Sequence, residues 1–193
     1  YYETLKAALD DAQTQKHGAA VTLLKDCTLD YYQLKAGNAI NLDLNGHSLA
    51  GTNDSDLTTL TIAKGNVYLT NSGSTGKCTK GIMVLGETAD DAECTIESGD
   101  YSSVNLSWGK LYVNGGTIDA LKMVGDNTLI LSGGTRFGEI KFTGSATMTL
   151  KDALWTGEDL IYRSTAATSE GYYEFLSEEA MGAKSATNVE VVH

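Results

Sequence analysis

The stretch "LYVNGGTIDALKMVGDNTLILSGGTRFGEIKF" (residues 111–142) nearly repeats itself. The glycine corners Asn-Gly-Gly-Thr and Ser-Gly-Gly-Thr hold equivalent places in the two copies, which end in Lys-Met-Val-Gly and Lys-Phe-Thr-Gly. Because a unit this short cannot bury an apolar face alone, it must stack on its neighbours. The stretch therefore predicts a fold built from stacked repeats.

Pairs of alternating apolar residues continue this pattern along most of the chain. Counted on the second member, successive pairs lie 21, 25, 27, 17, 18 and 19 residues apart, which predicts one coil per repeat with the length variation in loops. Period-two alternation makes each pair a strand with its apolar side facing one interior. The pairs are Val21/Leu23, Leu42/Leu44, Val67/Leu69, Cys94/Ile96, Leu111/Val113, Leu129/Leu131 and Met148/Leu150.

A second apolar pair follows the first after 8 to 11 residues in the most regular repeats. These second pairs are Val104/Leu106, Leu121/Met123 and Ile140/Phe142. Short strands with no helical period between them predict an all-β fold, a parallel β-helix of about seven coils. A leucine-rich repeat is the competing architecture, because "LTTLTIAKGN" (residues 57–66) matches that consensus. No other repeat matches it, and none supplies the helical half of such a unit.

Both ends of a β-helix expose hydrogen-bonding edges and an apolar core, so they need covers. The opening run "YETLKAALDDAQ" predicts a short amphipathic helix. Its apolar face consists of Leu5, Ala8, Leu9 and Ala12. Near the other end, "EGYYEFLSEEAMGAK" predicts a second helix and "NVEVVH" a final strand. The apolar residues of that helix are Tyr173, Phe175, Leu176 and Met181.

The predicted organisation is one structural domain in three parts. Residues 1–16 form an N-terminal capping helix, 17–160 the parallel β-helix, and 161–193 a C-terminal cap of helix plus strand. The first residues lack the basic and apolar segments of a signal peptide, and no apolar run reaches the roughly 20 residues of a membrane span. We therefore expect a soluble segment excised from a longer chain, with any signal peptide or anchor outside it.

Charge narrows the class of partner. The chain carries a formal net charge of −11, and Arg136 and Arg163 are its only arginines. This balance argues against contacts with phosphate backbones and with anionic membrane surfaces, so neither nucleic acid nor membrane is a predicted partner.

Cysteine and histidine provide no metal or cofactor site at this level. Three cysteines cannot all pair within one chain, and we predict that Cys27, Cys78 and Cys94 are free thiols, with Cys94 in a core column. The histidines are scattered without metal-ligand spacing. In "DLNGH", Asn45-Gly46 is predicted to turn a corner, and His47 has no carboxylate partner close in sequence.

The runs "AAVTLLKDCTL" (19–29) and "INLDLNGHSL" (40–49), with later repeats ending in "GGT", resemble a known class of protein. The chain is similar, over roughly residues 1–160, to right-handed parallel β-helix regions of large surface-exposed proteins of Gram-positive, gut-type bacteria. The resemblance implies that the β-helix is right-handed and that the protein is extracellular, either at the cell surface or secreted. It also implies an adhesive or stalk module, monomeric and part of a longer chain. Some such modules bind host glycans or host proteins, including immunoglobulins.

Many parallel β-helices are polysaccharide hydrolases or lyases, and glycoside hydrolysis needs two carboxylates about 5 to 9.5 Å apart. Each of the two best outward columns contains a single carboxylate, and no catalytic elbow, phosphate loop or zinc motif occurs. We therefore predict a non-catalytic protein, with a polysaccharide-degrading enzyme as the alternative. The columns read Thr22, Asp43, Tyr68, Thr95, Tyr112, Ile130, Thr149 and Asn45, Thr70, Glu97, Asn114, Ser132, Lys151.

The acidic runs "TNDSD" (52–56) and "ETADDAE" (87–93) are predicted to be solvated loops, with a calcium site as the alternative. We expect no metal or other cofactor.

Two outward stripes predict a binding surface. Tyr68 and Tyr112 lie two coils apart, roughly 9.6 Å, with Ile130 beyond them, and flat aromatic faces at this spacing can stack on sugars or anchor a protein. On the second sheet, Lys122 and Lys141 continue an outward polar stripe. The predicted function is a surface-displayed binding module for a host protein such as immunoglobulin, or for a glycan. The alternatives are an enzyme and a passive spacer whose outward residues only stabilise the sheet.

Overall fold

The computed structural model describes residues 1–52, 58–124, 127–131, 136–143, 147–151, 172–173 and 189–192. Within them the chain forms one short helix and sixteen strands. The elements are α1 (Leu5–Ala12), β1 (Ala19–Thr22), β2 (Cys27–Leu29), β3 (Tyr32–Leu34), β4 (Ile40–Asp43), β5 (Ser48–Gly51), β6 (Thr58–Ile62), β7 (Gly65–Thr70), β8 (Lys77–Leu85), β9 (Ala92–Ile96), β10 (Asp100–Val113), β11 (Thr117–Val124), β12 (Asn127–Leu131), β13 (Arg136–Thr143), β14 (Thr147–Lys151), β15 (Tyr172–Tyr173) and β16 (Val189–Val192).

Helix α1 covers the N-terminal end of the core. The hydroxyl of Thr4 caps it by accepting a hydrogen bond of 3.2 Å from the Ala7 amide. Leu5, Leu9 and Ala12 are buried, and Ala8 packs against the same core. The predicted apolar face of this helix is confirmed.

Two ladders of parallel strands make up most of the sheet. The first ladder runs β1-β4-β7-β9-β10-β12-β14-β16, and every pairing in it is parallel. The second ladder starts as two branches, β2-β5 and β3-β6, which meet at β8 and continue through β10, β11 and β13. Strand β10 belongs to both ladders and changes direction at Gly109, so the sheet curls back on itself. In the described residues the prediction of a strand-rich fold with parallel pairing is confirmed, and the pairing of β13 with β15 is an antiparallel exception.

Apolar columns from the two ladders face each other across a continuous core. In the first ladder, Ile40, Val67, Cys94, Leu111 and Leu129 stand in register and are buried. The second ladder contributes columns such as Leu34, Ile62, Val84, Leu106 and Met123. Each fully buried side chain of this size stabilises the fold by roughly 1.5 to 3 kcal/mol, so the columns supply the main driving force for stacking.

The corner that follows β4 is a tight turn with positive φ angles, which asparagine and glycine tolerate. Asn45 and Gly46 both have positive φ, 48° and 79°, and the His47 amide donates to the Leu44 carbonyl at 2.8 Å. The predicted Asn45-Gly46 corner is therefore confirmed.

The predicted register is wrong between the second and third repeats. The partner of Leu69 is Leu42 and not Leu44, whereas Val21 and Leu42 pair as predicted. Leu44 is still buried, but it lies beyond the end of β4, where it fills the corner. The run Ile40-x-Leu42-x-Leu44 fits two registers, and counting from its last member selects the wrong one. The outward column that contains Tyr68 therefore begins with Ala20 and Asn41 instead of Thr22 and Asp43.

The C-terminal predictions have mixed outcomes. The predicted final strand is present as β16, which pairs with β14. Tyr172 and Tyr173 form strand β15, antiparallel to β13, where a helix was predicted, because they pair with Thr143 and Phe142 of the ladder edge. Phe175, Leu176 and Met181 lie outside the described residues, and the three-part domain organisation stays a prediction. The helical half of a leucine-rich repeat is absent from the described residues, which contain α1 alone.

The three cysteines are free, as predicted. Cys94 is fully buried between Val67 and Leu111, and Cys78 is buried in the second ladder. Burial raises the pKa of the Cys78 thiol to about 11 and also raises the pKa of Cys94, so both thiols are neutral core side chains at pH 7.

Candidate ligand-binding face

A column of outward side chains on the first ladder brings the two predicted tyrosines into one line. Tyr68 and Tyr112 each pair with Thr95, one from either side, and Asn41 precedes Tyr68. Tyr68 is 37% exposed, whereas Thr95 is only 7% exposed, which is low for an outward threonine. The flanking tyrosine side chains account for this burial, since register neighbours lie about 4.8 Å apart on the same face. We call this surface the tyrosine face. It comprises the column of Asn41, Tyr68, Thr95 and Tyr112 together with the outward columns on either side, which contain Asn66, Glu93 and Lys110 on one side and Glu97 and Asn114 on the other.

The two flanking columns carry amide and carboxylate groups. On one side Asn66, Glu93 and Lys110 stand in register, and the Asn66 amide donates to Glu93 at 3.2 Å. On the other side the Asn114 amide donates to Glu97 at 2.9 Å. The tyrosine face therefore presents aromatic rings between two rows of hydrogen-bonding groups.

One ion pair joins the tyrosine face to the turn before β9. Lys110 Nζ lies 2.6 Å from Asp90 Oδ1, and Asp90 belongs to the turn before β9. The hydrogen bond from Lys110 lowers the pKa of Asp90, and the same bond raises the pKa of Lys110. Neighbouring Asp91 accepts hydrogen bonds from the amide and hydroxyl of Thr88. These contacts order the predicted acidic loop, whereas residues 53–57 of the other acidic run lie outside the described residues.

The lysine stripe lies on the second ladder, away from the tyrosines. Asn105, Lys122 and Lys141 stand in register as predicted, and Lys122 is exposed. Lys141 is placed by its backbone register alone, and so is Ile130, the partner of Tyr112. The structure thus brings Tyr68, Tyr112 and Ile130 into one column and separates them from the two lysines.

An exposed apolar pair at the bend of β10 was not predicted from the sequence. Trp108 and Leu85 are register partners, and they are 49% and 37% exposed. Trp108 lies on the same strand as Lys110 and Tyr112, just before Gly109. The only sequence signal is a tryptophan next to a glycine within a strand, where a bend interrupts the alternation.

The corrected register places two carboxylates in one outward column. Asp43 pairs with Thr70, and Glu97 follows one repeat later, so the two acids lie roughly 9.6 Å apart. The premise of one carboxylate per column was therefore wrong. Asp43, however, forms hydrogen bonds within the corner. It accepts from the Ser72 hydroxyl at 2.6 Å, from the backbone amide of Ser72 at 2.9 Å and from the backbone amide of Asn45 at 2.8 Å.

These contacts decide the charge state of Asp43. Partial burial opposes ionisation, but the hydrogen bonds from Ser72 and Asn45 outweigh it and lower the pKa of Asp43 below its ordinary value. A lowered pKa does not suit a general acid, which needs a proton near neutral pH. The geometry favours a turn-forming role for this carboxylate.

Replacing Asp43 with Asn is expected to lower the free energy of unfolding at pH 7 by roughly 1 to 2 kcal/mol, because one acceptor oxygen is lost. Since the folded pKa lies below the unfolded value of about 4, the stabilisation is complete above that value and is lost as the pH falls through the folded pKa. Urea unfolding of parent and Asp43→Asn at pH 7 and pH 3 should show a smaller difference at pH 3. Asp119→Asn, at an exposed position, is the control. A pH-independent difference would contradict this role.

His47 has a carboxylate neighbour that is distant in the sequence. Its Nδ1 lies 3.6 Å from Asp26 Oδ1, and Asp26 comes from the preceding repeat, so only stacking brings the two together. Within the described residues, no group of three or more histidine, cysteine or acidic side chains is arranged to hold a metal ion. No helix among those residues has the length and apolar character needed to span a membrane.

No protein-family model, curated protein sequence or solved structure matches the chain.

Proposed function

We propose that this chain is a right-handed parallel β-helix that serves as a non-catalytic binding module, displayed at a bacterial cell surface or secreted. Its ligand-binding surface is the tyrosine face. One feature of the structure and one general rule support the architecture. Strands of successive repeats pair in parallel in both ladders, and connections between parallel strands of one sheet are right-handed in roughly 98% of cases.

The observation that carries the binding function is the pair of tyrosines in one outward column. The core does not require them, because the inward residues beside them already fill it. Aromatic side chains concentrate binding energy, and a flat sheet face suits an extended ligand more than a pocket does. A spacer needs no such column.

The chemistry of the flanking columns favours a glycan over a protein such as immunoglobulin. Amide and carboxylate groups of Asn66, Glu93, Glu97 and Asn114 border the rings, and such groups bind sugar hydroxyls while the rings cover apolar sugar faces. The carboxylates also predict a neutral glycan, since an anionic one would be repelled.

The double change Tyr68→Ala, Tyr112→Ala should weaken ligand capture more than tenfold. The reason is that an aromatic anchor contributes about 2 kcal/mol or more to binding, whereas its removal here costs little core burial. The purified chain is first screened against neutral and anionic glycan arrays, immunoglobulins and other serum proteins. Affinity for the ligand that the screen returns is then measured by calorimetry. The double variant should melt within a few degrees of the parent.

A matched control removes two exposed tyrosines elsewhere, Tyr1 and Tyr31. Tyr1→Ala, Tyr31→Ala should bind as the parent does. Equal affinity in both double variants would move the site to the stripe of Lys122 and Lys141. Capture of a serum protein but of no glycan would mean that the ligand is a protein, and the proposal of a binding module would stand.

The enzyme alternative rests on Asp43 and Glu97, which the register brings into one column. Turnover of a polysaccharide that disappears in Asp43→Asn and Glu97→Gln would establish it. Neither binding nor turnover across these panels would favour a passive spacer.

A further inference from the structure

A groove separates α1 from the first strand of the first ladder. Its volume is about 540 Å³. One wall is a face of α1 that includes Leu5, Ala8 and Ala12, and the other wall is the stretch of chain from 18 to 25, which contains all of β1. The groove therefore follows the outer edge of the sheet. It adjoins one end of the tyrosine face, because Ala20 in its lining is the register partner of Asn41, but its lining does not include Tyr68 or Tyr112.

The edge of β1 that lines this groove has unused hydrogen-bonding groups. Among the strands that the structure describes, β1 pairs with β4 alone, and the amides of Ala19 and Leu23 donate to Ala39 and Asp43 carbonyls on that side, each at 2.9 Å. Successive residues of a strand direct their amide and carbonyl groups to opposite sides, so those of Ala20 and Thr22 point away from β4. Among the described residues, none hydrogen-bonds to the backbone of Ala20 or Thr22.

A free strand edge beside a helix specifies the chemistry of its occupant. Amide and carbonyl groups at strand spacing are matched by another extended main chain, as in the binding modes in which a peptide adds a strand to a sheet. The charged side chains that line the groove narrow the choice of occupant, because the carboxylates of Glu3 and Asp11 outnumber the amine of Lys25. A basic side chain on the peptide is therefore favoured, and the small residues Ala8 and Ala12 leave room for its backbone.

We infer that this groove binds an extended, basic segment of a partner protein, which adds to β1 as an outer strand. This second site goes beyond the proposed ligand face, because it recognises backbone and not aromatic-stacking groups. An exposed apolar rim of Tyr2 and Leu24 borders it, 56% and 63% exposed, and would be covered by the bound segment.

The test uses the whole chain and a phage-displayed library of random eight-residue peptides. Selected peptides should be rich in lysine or arginine, and a fluorescein-labelled copy of the best one should show saturable binding by polarisation. Methylating its backbone nitrogens one at a time should weaken binding at least tenfold at every second position along the part that pairs with β1, because one edge of an added strand faces β1. Uniform tolerance of methylation, or the absence of any selected peptide, would overturn the inference.

Variants of the protein provide an independent measurement. Thr22→Pro removes the amide that faces the groove and leaves the β4 side intact, and proline is tolerated on an edge strand. This variant should bind the labelled peptide at least tenfold more weakly, whereas Thr22→Val, which keeps the amide, should stay within twofold of the parent. Tyr68→Ala should leave peptide binding unchanged. If sedimentation shows that the chain itself dimerises and Thr22→Pro abolishes the dimer, the occupant is a second copy and the inference of a separate partner is wrong.

Discussion

Replacing Val113 with Asp is expected to destabilise the fold by at least about 4 kcal/mol, the largest effect of any single change proposed for this chain. Val113 is fully buried in the first ladder, between its register partners Ile96 and Leu131. A carboxylate there would lie in the buried column beside Ile96, and it would have to remain uncharged or disrupt the stack. Urea unfolding followed by circular dichroism measures the loss.

Asn41→Asp is the matched control, because it adds the same charge on the outward side of the same ladder. Asn41 is exposed, and its side-chain oxygen accepts a hydrogen bond from Thr70 that an aspartate can also accept. This variant should stay within about 0.5 kcal/mol of the parent. Similar stability of Val113→Asp and Asn41→Asp would mean that the inward and outward sides of β10 have been assigned wrongly.

Gly65→Ala is expected to destabilise the protein by about 3 kcal/mol or more. Gly65 has a φ of +82°, which costs an L-residue roughly 1 to 2 kcal/mol. A methyl group at this position would also lie 2.7 Å from the Asn38 carbonyl oxygen and 2.8 Å from the Cα of Gly37 in the repeat below. Because both obstacles are backbone, the corner must shift to make room.

Gly37 separates the two causes. Its φ of +76° is nearly the same, but a methyl group there would meet only the Lys64 side chain, at 3.5 Å. Gly37→Ala should therefore cost about 1 to 2 kcal/mol, the conformational part alone. Thermal unfolding of the two variants measures the difference. Equal losses would show that adjacent corners are not packed against each other.

The parallel architecture could be predicted because alternation and repeat length report on the same stacked strands. Val67, Cys94 and Leu111 fall in register where each strand offers one apolar pair. The register between the second and third repeats was predicted wrongly because Ile40, Leu42 and Leu44 offer two equally apolar pairs, and the choice depends on which carbonyl receives the Leu44 amide. That acceptor is Thr70, from the next repeat, and no local pattern reveals it.

The candidate site likewise has a part that the sequence predicts and a part that it does not. Tyr68 and Tyr112 were predictable because outward residues of one ladder follow from alternation alone. The burial of Thr95, the Lys110 to Asp90 ion pair and the groove beside β1 depend on packing between elements, which one sequence does not encode in a local signal. The partner of His47 is another example, since it lies 21 positions away in the preceding repeat.

Parallel pairing between neighbouring repeats has a mechanical consequence. Ala19 pairs with Ile40, Val67 with Cys94 and Leu111 with Leu129, so the strands of each ladder connect residues that are close in sequence. Tension applied to the chain ends would peel away one repeat before loading the next, because each repeat is held mainly by its neighbours. A repeat of 17 to 27 residues releases roughly 60 to 90 Å of extended chain. Stacked repeats of this kind would lengthen in steps under tension, and each step would dissipate work.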